Sequence, residues 1–274
     1  MNLLVPLAFS SFREIVRQPF YYIILLSGCF IILMSFAFVF FAFGEEARMI
    51  RDMAISTITF GGLITGCLAS SIMVADEFER QTLLTVLCKP VSRVHFILGK
   101  YLGILAATCL LVFFQGLMLE VALIIRNYST VQSEVTNFLS LIDFVCILGI
   151  CFSLLQIFIL TAISLVLSLY FNTIANLTIC LSFFIFCNTF SYNLSIDGHS
   201  HVAVSIVAVI CYTVFPNIQT LNMAVINEVV TAPSSHWQGS NIVQYIVCAL
   251  LHSAIYCAAI VWLAVFLFKR KELT

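Results

Sequence analysis

The sequence predicts an all-α, polytopic membrane protein, and three observations predict it. The 274 residues are 62% hydrophobic and 9% charged, whereas a soluble domain carries about 25% charged residues. Mean hydropathy is +1.12. Apolar runs of spanning length recur along the chain, with short charged or polar stretches between them. A surface so poor in charge cannot be wetted, whereas helices satisfy their own backbone and can face lipid. The net charge of −1 says nothing about nucleic acid, and no basic patch with interleaved aromatics marks it as a partner.

The chain reads as one membrane domain over residues 1–274, without linker, repeat or low-complexity segment. Phe9, Phe12 and Val16 recur on one side of the first residues, and Ser10, Arg13 and Arg17 on the other. Residues 6–18 are therefore expected as an amphipathic helix in the interface, ended by Pro19; a solvated extension is the plain alternative. Six spans follow, at about 20–43, 53–75, 96–125, 141–170, 173–192 and 242–268. The first is too long for the apolar core of a cleaved signal and reads as an anchor. The second is rich in small residues, Gly61, Gly62, Gly66, Ser70 and Ser71, which let helices approach closely in lipid.

Residues 202–239 are harder. Val202–Phe215 is short for a span, and Pro216, Asn217, Asn222, Asn227, Glu228, Pro233 and His236 follow. They read as re-entrant or interfacial helices on the outer face. Charge placement favours six spans over seven. With the N-terminus inside, Arg13, Arg17, Arg80, Lys89, Arg93, Lys100, Lys269, Arg270 and Lys271 fall inside, and Arg48, Arg51 and Arg126 outside. Both termini are then cytoplasmic.

Asp76 to Gly103 is the most charged stretch between two apolar runs, holding Asp76, Glu77, Glu79, Arg80, Lys89, Arg93 and Lys100. Each charge at a bilayer centre costs about 2.5–3.5 kcal/mol on insertion scales, so residues 76–95 are expected in water or against a partner. Asp76 can cap a short helix, with Glu79 reaching back. Leu83, Leu84, Leu87 and Cys88 form its apolar edge. Lys89 and Pro90 end it, and Ser92 can cap the next span, whose Arg93, His95 and Lys100 point toward the headgroups.

Asp76-Glu77-Phe78-Glu79-Arg80-Gln81-Thr82-Leu83, Lys89-Pro90-Val91-Ser92-Arg93 and Leu98-Gly99-Lys100 resemble the loop between the second and third helices of ABC-2 type permeases. Permeases of nitrous-oxide-reductase maturation and of gliding motility are similar in style. Gln81 stands where many members have Gly. The resemblance implies a membrane subunit of an ABC transporter, with Phe9, Phe12, Arg13 and Arg17 on an elbow helix. It makes Glu77 to Cys88 a coupling helix seated in an ATPase cleft. It also implies two permease copies with two ATP-binding subunits, and so a homodimer or a second permease chain. Asp76, Glu77, Glu79, Arg80, Thr82, Leu83, Lys89, Pro90, Arg93 and Lys100 are the expected ATPase-coupling residues. The location it implies is the bacterial cytoplasmic membrane.

The chain is not expected to be an enzyme or to bind a cofactor. No G-x-x-x-x-G-K-[ST] loop occurs: Gly99-Lys100 is followed by Tyr101, and position 94 is Val. ATP and Mg are therefore expected on a partner subunit. Gln115, Glu120 and Gln156 are candidate pathway residues. For the two glutamines, interhelical hydrogen bonding competes with substrate contact. For Glu120, about 36 Å along its helix from Phe96, the outer interface competes with a cavity near an outer gate.

Other chemistry reads more weakly. Nine cysteines lie within apolar runs, with Cys88 and Cys211 uncertain, and no CxxC pair exists, so neither disulfides nor metal are expected. Glu45 and Glu46 with Arg48 lie between spans, without the intramembrane histidines of a CAAX-type protease. His199, His201 and His236 read as a solvated outer loop rather than a metal site. Two other functions stay open: an ABC-type mechanotransmission or assembly factor without flux, and an ATP-independent channel or secondary transporter subunit.

Overall fold

The computed structural model describes residues 4–35, 46–79, 93–130, 144–194, 216, 218, 221, 222 and 240–270. These residues form an all-α bundle. Helix α1 spans Leu4–Val16 and α2 spans Pro19–Met34. Between them Gln18 is extended (φ −74°, ψ 139°), and the helices meet at 66°. Pro19 opens α2 at the position where its missing N–H costs nothing. The remaining helices are α3 Glu46–Glu79, α4 Arg93–Thr130, α5 Phe144–Leu167, α6 Thr173–Leu194 and α7 Ser240–Arg270.

Helices α3, α4 and α5 form the centre. Ile58, Leu63, Ile104, Leu111, Leu119 and Ile157 are fully buried among them. Helix α2 leans on α3 and α4, α6 on α3 and α5, and α7 on α5 and α4. Helix α7 buries only a narrow stripe, including Ser253, Val261, Ala264 and Phe268, and exposes the rest of its apolar surface. Lipid tails are as apolar as the side chains, so packing here depends on close approach rather than on escape from water. Gly103 of α4 shows this. A Cβ there would stand 2.5 Å from Ser11 Cβ and 2.8 Å from the Ala8 carbonyl oxygen.

Phe9, on the expected apolar side of α1, is 65% exposed at the bundle surface. The face held by the protein is Leu7, Ser11 and Ile15, because Gly99 and Gly103 leave the groove that receives it. Phe12 is half-buried against the core, and Arg13 and Arg17 are exposed. Helix α3 begins at Glu46, so Arg48, Arg51 and Asp52 ride on its first turns rather than in a loop. Arg48 and Asp52 are paired at 4.0 Å, one turn apart. Helix α3 also runs through Asp76 to Glu79, so Asp76 does not cap a separate helix. The elongating backbone needs no new start where no break precedes it.

Four helices are long and apolar enough to cross a membrane among the described residues, or five if α1 and α2 are one bent span. Helix α6 is apolar over a shorter stretch, Thr173–Thr189. The expected first span, 20–43, is described only to residue 35.

Candidate functional site

Two polar regions lie along the same three helices. The first is a seam where α3, α5 and α6 meet, nearer the end of α3 that leads into residues 80–92. Ser70 and Ser164 hydrogen-bond each other directly across α3 and α5. Asn176 of α6 donates to Ser71 Oγ at 2.5 Å, Ser164 Oγ at 2.9 Å and the Ser164 carbonyl at 3.3 Å. Its carboxamide oxygen accepts from Cys180 Sγ at 3.5 Å. Ser70, Ser71, Ser164 and Asn176 are all 0% exposed. Gly66 sets the approach, since a Cβ there would fall 2.0 Å from Thr161 Cγ2 on α5. A dry seam with its polar groups joined across three helices is stiff, because any slip strands a buried donor or acceptor.

The second region is a cavity of about 670 Å³, two to three turns farther from residues 80–92 along α3. It lies between α2, α3, α5, α6 and residues 221 and 222. Ser27, Ser56, Thr57, Thr59, Ser153, Gln156, Asn188 and Asn222 supply its polar wall, and among the described residues no lining side chain is charged. Thr59 Oγ1 and Ser153 Oγ meet at 3.1 Å on its floor. Ile31 of α2 and Phe60 of α3 also line it, at 48% and 46% exposure.

The expected pathway residues divide. Gln156 lines the cavity and donates to the Ile218 carbonyl at 2.9 Å. Gln156 lies at mid-length of α5, and Ile218 is fully buried beside it. The backbone turns there, with Leu221 N–H donating to Ile218 O at 3.1 Å. Non-helical backbone at this depth is tolerable only when buried in protein, and the Gln156 amide satisfies one of its carbonyls. Gln115 stands behind the wall. Its Nε2 donates to the Ile24 carbonyl at 3.3 Å, and the absent Cβ of Gly28 leaves it room. Glu120 lies on α4 away from the cavity, with its carboxylate oxygens shielded from water.

The expected coupling residues divide too. Asp76, Glu77 and Glu79 occupy the last turn of α3, and Arg93 opens α4. Arg80, Thr82, Leu83, Lys89 and Pro90 lie outside the described residues. Lys100 is corrected: it does not reach the headgroups but is buried, 4% exposed. Its Nζ donates to the Met73 carbonyl at 3.0 Å and stands 5.4 Å from the centre of the Phe96 ring. Phe96 in turn stacks on Phe268 of α7, at 6.0 Å. An ammonium can be held so deep because a carbonyl and a ring face replace its water. Lys100 thus ties α3 to α4 about two turns inside residues 80–92.

Sequence reasoning missed Asn176, Ser164, Ser153 and Asn188. The asparagines carried a signal, as amides inside an apolar run facing other polar spans. Among the described residues no three His, Cys, Asp or Glu side chains converge. His199, His201 and His236 lie outside them.

Residues 33–273 match the family described as ABC-2 family transporter protein. No curated protein matches the sequence.

Proposed function

The chain belongs to the ABC-2 transporter family, and on that premise we propose that it is the permease subunit of an ATP-binding cassette exporter. A separate ATPase subunit binds ATP and Mg and docks on residues 76–95. Two permease chains, copies of this one or a related pair, complete the unit in the bacterial cytoplasmic membrane, with both termini on the ATPase side. Closure of the cassettes pushes residues 80–92, and the push tilts α3 and α4 as rigid bodies. ATP binding thereby shifts which side the membrane path opens to.

The observation that carries this reading is the continuity of α3. One unbroken helix runs from the cavity wall at Ile55 to Glu79, beside the expected docking loop. Helix α4 returns from that loop at Arg93, and the Lys100–Met73 bond fastens the two together. A displacement at the loop is then delivered to the cavity without being absorbed at a hinge.

The test is reconstitution with the cognate cassette ATPase. Glu79→Ala and Arg93→Ala should weaken ATPase docking or coupled transport while the chain still inserts. Normal co-purification and normal transport in both variants would remove these residues from coupling. ATP turnover without flux would favour a mechanotransmission role, and activity from this chain alone would overturn the cassette reading.

A further inference from the structure

We propose that the cavity between α2, α3, α5 and α6 is a binding site for an uncharged amphiphile whose head group carries several hydrogen-bond donors. The proposal deepens the permease reading by naming a cargo class, and as a cargo site it rests on that reading.

Three observations carry it. The first is the state of the hydroxyls. Ser27 donates to Ile24 O at 3.1 Å, Ser56 to Asp52 O at 2.7 Å, Thr57 to Met53 O at 2.8 Å and Ser153 to Gly149 O at 2.9 Å. Each proton is committed to the helix's own backbone, as is usual for Ser and Thr in apolar helices. The oxygens that remain are acceptors. The hydroxyl oxygens therefore face the cavity as acceptors, and the Asn188 and Asn222 amides beside them can accept as well as donate. One N–H of the Gln156 amide is committed to Ile218 O.

The second is Asn188. It lines the cavity, and its carboxamide oxygen is shielded from water with no hydrogen-bond partner among the described residues. A buried acceptor left unused is costly, and a ligand donor would recover that cost. The seam, about three turns away on the same helix, shows that this chain can saturate an asparagine completely, so Asn188 is not left over for want of neighbours.

The third is the apolar edge. Ile31 of α2 and Phe60 of α3 line the cavity and are themselves exposed, so apolar surface reaches from its wall to the outside of the bundle. A ligand can leave an apolar tail against these side chains. The volume of about 670 Å³ fits a head group of sugar or polyol size. Charge is disfavoured at either sign: among the described residues no lining side chain can neutralise it, and a desolvated ion without a partner is costly.

The experiment uses the purified full chain in nanodiscs of uncharged lipid, without any ATPase. Four probes share one octyl chain and are used below micellar concentration: octyl glucoside, its fully O-methylated ether, octyltrimethylammonium and octyl sulfate. Saturable binding is read by equilibrium dialysis, with partition into empty nanodiscs subtracted. The expected result is saturable binding of octyl glucoside, weakened about tenfold or more by methylation or by either charge. Asn188→Leu should weaken octyl glucoside about tenfold, and Ser56→Phe, which fills part of the cavity, should abolish it. Both variants are checked for unchanged thermal unfolding. If Ser56→Phe fails to fold, Asn188→Leu decides alone. Equal binding of all four probes, no saturable glucoside binding, or wild-type affinity in Asn188→Leu would overturn the site. Such a result leaves ATPase docking intact and the permease reading standing. Failure to dock an ATPase, with glucoside binding preserved, would remove the permease reading instead.

Discussion

The seam and the cavity use the same helices and the same kinds of residue, and they end in opposite states. At the seam, Ser70, Ser71, Ser164 and Asn176 bond across α3, α5 and α6. At the cavity, Ser56 and Thr57 turn back on their own helix, and Thr59 reaches across to Ser153 beside the open space. The difference lies in what separates the backbones. Gly66 lets α5 close on α3 until Thr161 fills the place of its side chain. One and a half turns away, Gly62 still holds α3 against Ile157 of α5, but Gly61, turned toward α2 and α4, has nothing nearer than 3.5 Å to its missing Cβ. A polar residue in lipid bonds across helices when they touch and to its own backbone when they do not. One end of the bundle is thereby fastened and the other is left open.

The largest effect should come from forcing the fastened end apart. Gly66→Leu must displace the stiff, buried Thr161 and should cost about 1–3 kcal/mol, read by thermal unfolding of the purified protein. Gly61→Ala meets only ordinary contacts and should cost nothing measurable, although both positions lie on α3. Equal costs would erase the distinction between the two regions.

Exchanging the asparagines gives the next effect. Asn176→Leu strands Ser71 and Ser164 and should destabilise by about 1–2 kcal/mol, the upper range for interhelical bonds in membranes. Asn188→Leu removes an acceptor that is already unused and should be neutral or mildly stabilising. A loss at Asn188 as large as at Asn176 would mean that the cavity wall is as tightly built as the seam.

The smallest effect on stability should come from Lys100→Met. An apolar side chain of similar length gives up the Met73 bond but also the cost of burying an ammonium, so stability should change by less than about 1 kcal/mol. Coupling should nevertheless fall, read as ATP-driven transport per ATP hydrolysed. An unchanged ratio would show that α3 and α4 move together without this tie.

Most of the fold was legible because it rests on sums. Hydropathy adds over twenty residues, so the helices α3, α4, α5 and α7 follow from composition alone. The boundaries were less legible. Helix α3 begins at Glu46 because charged residues prolong a helix outside lipid as readily as they would break into a loop. The face of α1 that meets the bundle was not legible for a similar reason. Phe9 and Phe12 are the larger apolar residues, but Leu7 and Ser11 are the ones that meet Gly99 and Gly103, and that groove belongs to another helix. The glycines stood in the sequence at a four-residue spacing, a signal that names a close contact without naming its partner.

The sequence by itself determined that this chain is a helical membrane protein, and its charged Asp76–Lys100 stretch already pointed to the family. Both follow from local residue chemistry, which needs no neighbours. Only the tertiary structure decided that Lys100 turns inward, that Asn176 is consumed while Asn188 is spared, and that Gln156 reaches a carbonyl 62 positions away. Those outcomes depend on how closely two backbones approach in space. That distance is set by glycines and branched side chains on different helices at once.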